Sequence, residues 1–282
     1  MTSLTPVVDH VVITVGDQLD EASALFRRLG FQLSERGHHS LGSSNHLAIF
    51  DENYLELLGY LPERGNLRED LWQSPRGLSG LVWKTDDADA VYQHLQQQQL
   101  AGDPPAAFFR PVTLPDGSEH QARFRTTRLR HDTVANGRSF FCQHLTPEAV
   151  WQPAWQQHRN AVTTISGFII AADKPAVAAR VYSQLFDTAQ FISTQDDSIE
   201  FQAGVTRVRF TGSAQARATL GPLPDDYNGT PRMAALEFTT ASLDQVRQSL
   251  LAGDIRFSER ENTLRVSAED GFNLALIFSV KP

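Results

Sequence analysis

The sequence predicts an α+β fold of four βαβββ modules paired into two curved mixed sheets. Two observations carry this expectation. One pattern, a strand followed by an amphipathic helix and three further extended segments, recurs four times. Its period of roughly 50 to 80 residues implies duplication of one supersecondary unit. Polar or Pro/Gly-bearing connectors separate the units, and the middle one, TPEAVWQPAWQQHRN, divides the chain into module pairs at 1–150 and 151–282.

In the first unit DHVVITV (Asp9 to Val15) has the β-branched content of a strand buried on both faces. LDEASALFRRLGF (Leu19 to Phe31) sets Ala22, Leu25, Phe26 and Leu29 at helical spacing, with Gly30 where a C-cap is expected. Strands are expected around Phe31 to Arg36, over NHLAIF (Asn45 to Phe50) and over YLELLGY (Tyr54 to Tyr60), the last two joined by the turn-forming DEN. The second unit runs GLVWKT, DADAVYQHL, AAFFRPV, EHQARFRTTRLR and RSFFCQHL. The third runs SGFIIAA, KPAVAARVYSQLF, AQFIST, SIEFQAG and TRVRFTG, and the fourth MAALEFT, SLDQVRQSLLAG, IRFSER, TLRVSA and FNLALIF. LPERGNLREDLWQSPRG and SAQARATLGPLPDDYNGT read as connectors. A four-stranded sheet backed by one helix leaves its other face uncovered. Two such modules side by side make an eight-stranded trough whose concave face suits a small-molecule ligand.

Composition narrows the function. The formal charge is −8 and no basic run occurs, which argues against nucleic acid and against an anionic membrane surface as partners. The single cysteine, Cys142, permits no internal disulfide and, lying in an apolar strand, reads as a small core residue. The opening MTSLTPVVDH lacks a basic segment followed by an apolar run, and no apolar stretch approaches the roughly 20 residues that span a bilayer, so a soluble cytoplasmic protein is expected, monomer or homodimer. Dinucleotide, P-loop, HExxH and GxSxG motifs are absent.

One residue breaks the pattern. YLELL (Tyr54 to Leu58) is apolar or aromatic except for Glu56. A partly desolvated carboxylate costs several kcal/mol unless something positive faces it. Together with DHVVITV, HSLGSSN (His39 to Asn45), FFCQHLTPEAVW (Phe140 to Trp151) and QHRN (Gln157 to Asn160), this stretch resembles the vicinal oxygen chelate superfamily, and within it the glyoxalase-like domain proteins. The four-module pattern spans nearly the whole chain.

In that superfamily the metal ligands come from the first and last strands of a module, positions that fall here on His10 and Glu56. The resemblance thus implies a divalent ion, zinc, nickel, iron or manganese, on imidazole and carboxylate donors. Aligned without gaps, the other modules offer Ser79, Ser166 and Ala234 in place of His10, and Ala275 in place of Glu56, so the second half is read as ligand-poor. In the second module Cys142, Gln143 and His144 lie near the required height, and strand parity does not choose among them. His144 is taken as third ligand, with His39 next. His39 and Asn45 are taken as substrate-binding residues because HSLGSSN matches a family pattern of a histidine, a small-residue turn and an asparagine, and Gln143 is taken as a third for its height on FFCQHL. His46 reads as a sheet histidine, and His158 and Asn160 as a docking element.

The implied activity is that of a metal-dependent lyase or isomerase of the glyoxalase type, with Glu56 as catalytic proton carrier. The alternatives are a metal-free binding protein of the bleomycin-resistance type and an extradiol-type dioxygenase. In the latter the ligands sit in the second half, whereas here the candidates lie in the first.

Overall fold

The computed structural model describes residues 3–61 and 69–280, and in it the repeated unit takes one form four times. The first comprises β1 (Val8–Gly16), α1 (Leu19–Arg28), β2 (Gly37–His38), β3 (Ser44–Ile49) and β4 (Tyr54–Gly59). A short helix α2 (Glu69–Trp72) precedes the second, made of β5 (Gly77–Lys84), α3 (Ala88–Gln97), β6 (Ala106–Thr113), β7 (Glu119–Arg128) and β8 (Arg138–His144). The third comprises β9 (Val162–Ala171), α4 (Pro175–Leu185), β10 (Ile192–Ser193), β11 (Ile199–Ala203) and β12 (Thr206–Thr211). After α5 (Ser213–Leu220) the fourth follows as β13 (Arg232–Thr240), α6 (Leu243–Ala252), β14 (Ser258–Arg260), β15 (Thr263–Val266) and β16 (Ala275–Val280).

These strands form two eight-stranded sheets, ordered β2-β3-β4-β1-β5-β8-β7-β6 and β10-β11-β12-β9-β13-β16-β15-β14. In each sheet a module's first strand runs parallel to its last, and the two first strands meet antiparallel at the centre. This is the mixed-sheet arrangement of the vicinal oxygen chelate fold. Alternation along the strands sorts the interior into layers. Val11, Ile13 and Val15 of β1 join Phe26 of α1, Trp83 of β5 and Phe168, Ile170 and Phe238 of the second sheet in one core between the sheets. Val12, by contrast, faces the concave side of the first sheet with Tyr54, Leu58, Val82, Phe124 and Cys142. The parity of β1 and β4 therefore decides that His10 and Glu56 look into the trough.

Two segments depart from expectation. Residues 31–36 form no strand, and the pairing strand is only β2. Ser34 ties this stretch to β3 by itself, since its N–H donates to Leu47 O and its Oγ accepts from Leu47 N–H, while His46 Nδ1 lies 2.9 Å from Ser34 O. The connector beginning SAQARATL is a helix, α5, because Ala216 and Leu220 cover the concave face of the second sheet, where they meet Ile169, Ala171, Ala234, Ala235 and Ala275. Residues 62–68 of the connector LPERGNLREDLWQSPRG lie outside the described residues. Among the described residues no helix is long and apolar enough to cross a membrane.

The QHRN segment docks the connector onto the first module. Asn160 donates from Nδ2 to Leu29 O at 3.0 Å, and its Oδ1 accepts Val162 N–H. His158 Nδ1 accepts Gln32 N–H at 3.0 Å while Nε2 donates to Ile49 O at 2.9 Å, so the neutral ring uses both nitrogens. Burial lowers its pKa from the ordinary 6.5. Between the lowered folded value and 6.5 the unfolded chain binds a proton that the folded chain does not, so stability is complete above 6.5 and falls as pH drops through that window. The slope attributable to one such group reaches at most about 1.4 kcal/mol per pH unit. Urea midpoints of wild type and His158→Asn at pH 7.5 and 5.5 measure it. The variant is expected to start less stable and to lose less on acidification.

Candidate metal and substrate site

His10 rises from β1 and Glu56 from β4, one register step apart, since His10 pairs with Tyr54 and Val12 with Glu56. His10 Nε2 lies 3.8 Å from Glu56 Oε2. The turn between β2 and β3 brings in His39, whose Nε2 lies 3.8 Å from the other carboxylate oxygen, Oε1. That turn is tight: His39 N–H donates to Ser43 O, Gly42 N–H donates to His39 O, and Gly42 takes φ +100°, which a side chain would resist. Asn45, at the head of β3, donates from Nδ2 to Glu56 Oε1 at 2.7 Å. Glu56 is only 7% exposed.

Hydrogen-bond partners assign the protons on both imidazoles. His10 Nδ1 lies 2.7 Å from the acceptor-only Asp9 Oδ2, so Nδ1 carries a proton, and in the neutral ring the Nε2 lone pair faces Glu56. Asn45 Nδ2, oriented by Glu56, also approaches His39 Nε2 at 3.2 Å, which makes that nitrogen an acceptor and directs the Nδ1 proton to Ser43 Oγ at 2.8 Å. Two lone pairs thus converge on one carboxylate. Ligand bonds of about 2.0–2.2 Å from a shared ion are compatible with donor atoms at this spacing. A nitrogen-rich set with one carboxylate suits first-row divalent metals.

Asp9 is one of the residues that sequence reasoning missed. Strand alternation sends it to the opposite face from His10, but the β1–β5 register breaks between Val8 and His10, and this bulge turns both side chains to one side. Asp9 is fully buried, and burial pushes its carboxyl up, but the His144 and His10 imidazoles more than offset this and hold it well below the usual range. It therefore stays ionised and fixes the His10 tautomer, as an orienting carboxylate does for a metal-binding histidine. Asp9→Asn is expected to weaken metal binding about 10- to 100-fold by that principle, read by titrating metal-stripped protein with Zn²⁺ and following bound metal per chain.

Two of the expected site residues go elsewhere. His144 points its Nε2 at Asp9 Oδ2, 3.0 Å away, behind His10, with its ring against Trp151 and Phe124, and among the described residues no ion pair joins it to Glu56. Asp9, Cys142 and His144 form a cluster whose ligand atoms lie within 4.8 Å of one another. Its chemistry fits an ion less well: Asp9 Oδ2 already bonds both histidines, and burial pushes the Cys142 thiol well up, favouring the protonated form. Gln143 lies on the other face of β8, one residue of parity away. It accepts Ala88 N–H and donates to Asp86 O at the start of α3, so it does not bind substrate in this pocket.

The trough above these donors holds a cavity that opens to solvent. His10, His39, Asn45, Tyr54 and Glu56 line its polar end, and Leu47, Leu58, Leu71, Phe108, Phe124 and Phe140 line its apolar walls. Tyr54 stacks on His10 at 4.4 Å and fixes the ring plane. Arg110 also lines the cavity at 2% exposure. Sequence reasoning did not single it out, although its inward parity with Phe108 and Val112 on β6 sets a basic residue where the strand's period asks for an apolar one.

A family model described as a glyoxalase-like domain matches residues 8–186 of the 282. No curated protein matches the chain. Among solved structures, a hypothetical protein from Staphylococcus aureus is similar at 15% identity and TM-score 0.69, over 97% of this chain and 99% of that one. A mutant of 4-hydroxymandelate synthase from Streptomyces coelicolor is similar at 12% identity and TM-score 0.62, over 99% and 95%. A xylose isomerase-like TIM barrel/4-hydroxyphenylpyruvate dioxygenase fusion protein is similar at 11% identity and TM-score 0.57, over 99% of this chain and 50% of that one. At such identities the likeness speaks for the fold alone.

Proposed function

The chain belongs to the glyoxalase-like domain family, and from that premise we propose that it is a metal-dependent lyase or isomerase of the glyoxalase type, acting on a small oxygenated substrate in the trough of the first sheet. One observation carries the reading most: the His10 and His39 Nε2 lone pairs are turned toward opposite oxygens of the buried Glu56 carboxylate, each at 3.8 Å. Lone pairs facing an anion repel it, and a cation between them removes the repulsion. His10, His39 and Glu56 would hold the ion, with zinc, nickel, iron and manganese all suited to this donor set. When bound, such an ion polarises vicinal substrate oxygens as a Lewis acid.

The chain's own residues supply the rest. Asp9 keeps the His10 proton on Nδ1, and Asn45 holds Glu56 Oε1, leaving Oε2 as the atom that accepts and returns a substrate proton. The phenylalanine and leucine walls exclude water, which strengthens every charge interaction inside.

A second reading, an iron-dependent dioxygenase, is favoured by the same donor set, since two histidines and one carboxylate are the ligands of non-haem Fe(II) oxygenases. Protein purified without chelator, analysed for metal and then loaded with Zn²⁺, Ni²⁺, Mn²⁺ or Fe²⁺, separates the two. Isomerisation of hemithioacetals without oxygen uptake supports the first reading, and iron-dependent oxygen uptake the second. If no metal binds and none shifts the unfolding midpoint, both fall, and the protein is a small-molecule binding module.

A further inference from the structure

We infer that the pocket takes a carboxylate-bearing apolar molecule, an aryl or alkyl acid, and that Arg110 is the residue that binds the carboxylate. This rests on the reading of the trough as a ligand site, and it names the ligand's class.

Arg110 is a guanidinium in an apolar wall. Its neighbours along β6, Phe109 and Pro111, face outward while it faces in at 2% exposure. Among the described residues no carboxylate lies within ion-pair distance of it, and its buried Nη2 donates no hydrogen bond. Tyr54 and Glu56 are the acidic groups that act on it through space, and Glu56 already holds Asn45 and faces two histidines. A buried cation without a bonded partner is unfavourable, and an anionic ligand would recover that cost on binding.

Space is kept for this side chain. A Cβ at Gly37 on β2 would come within 2.3 Å of Arg110 Cδ, 2.9 Å of its Nη1 and 2.5 Å of Asn45 Oδ1. Only glycine lets Arg110 and Asn45 approach there. Charge points the same way: a divalent ion beside Glu56, with Arg110 added, leaves the pocket positive.

The planar fork of arginine matches the two oxygens of a carboxylate. Leu47, Leu58, Leu71, Phe108, Phe124 and Phe140 share the cavity with Arg110 and match a hydrocarbon or aromatic body, while Arg128 and Arg138 line it as well, Arg138 lying over the Phe140 ring.

The test compares phenylglyoxylate and 3-phenylpropanoate with their methyl esters, which keep shape and oxygens but lose the charge. Binding is followed by calorimetry and thermal shift, on chelator-treated and on metal-loaded protein. Wild type is expected to bind at least one acid 10-fold or more tighter than its ester in both states. Arg110→Met should abolish that preference without changing metal content, and Arg110→Lys should keep part of it. Because Arg110→Met removes an unpaired buried charge, its ligand-free midpoint should equal or exceed that of wild type. The inference is overturned if wild type shows no acid preference, if Arg110→Met keeps it, if Arg110→Met melts well below wild type, or if inorganic phosphate stabilises as well as the acids. Should wild type bind no metal yet show an Arg110-dependent acid preference, the enzymatic reading fails and this inference stands.

Discussion

Glu56→Gln is expected to abolish metal binding while leaving the fold in place, the largest functional effect of any single substitution here. The side chain keeps its volume, and an amide oxygen can still accept from Asn45 Nδ2. What disappears is the negative charge between the His10 and His39 nitrogens, each 3.8 Å from it. Loss of a residue that merely orients a ligand weakens metal binding about 10- to 100-fold, and loss of the anionic ligand itself should exceed that. Wild type with metal at about 100 times Kd gains roughly 2.7 kcal/mol of stability, and the variant should gain none. Bound metal per chain and unfolding midpoints with and without Zn²⁺, Ni²⁺ or Fe²⁺ measure both. A metal-dependent shift that survives in Glu56→Gln rules Glu56 out as a ligand and directs attention to the Asp9, Cys142 and His144 cluster.

Arg232→Met should produce the largest loss of stability. The Arg232 side chain is fully buried where β13 of the second sheet meets β5 of the first. Nη1 donates to Leu78 O at 2.5 Å and Met233 O at 2.9 Å, Nη2 donates to Arg76 O at 2.7 Å, and Nε donates to Asp226 Oδ2 at 2.9 Å. Removing it strands the carbonyls of Leu78, Met233 and Arg76, at about 1–3 kcal/mol for each buried group left unpaired and so roughly 3–5 kcal/mol together, while the exposed Asp226 keeps Asn273 as a partner. For a chain of this size that lowers the midpoint by roughly 10 °C. Arg256→Met is the control, because Arg256 reaches Asp270 from a largely exposed position, where screening leaves little to lose. A metal-free midpoint for Arg232→Met within 2 °C of wild type, by the same scaling, would show that the two sheets hold together without this bridge.

The legible parts of the site were those where a residue contradicts its own surroundings. A carboxylate inside YLELL and a histidine at the head of a β-branched strand stand out because period-2 alternation assigns both to one face. The small-residue turn HSLGS announces a tight loop through Gly42, and it brings His39 and Asn45 to Glu56. Where parity was uncertain by one residue the reading failed. Gln143 went to the helix side of β8, and His144, although on the trough side, met Asp9 rather than Glu56.

What the sequence determined by itself is what local periodicity encodes: the repeated unit, the strands that carry His10 and Glu56, and the absence of ligand side chains at Ala234 and Ala275. What only the tertiary structure decided depends on register and on contacts between distant segments. The break between Val8 and His10 turned Asp9 toward the site, α5 filled the second trough, and Arg110 arrived from β6, more than 50 residues after Glu56 in the chain. A bulge changes which face a residue occupies without changing the composition around it, and a guanidinium acquires its meaning from what fails to pair with it. Neither is a property of any local stretch of the chain.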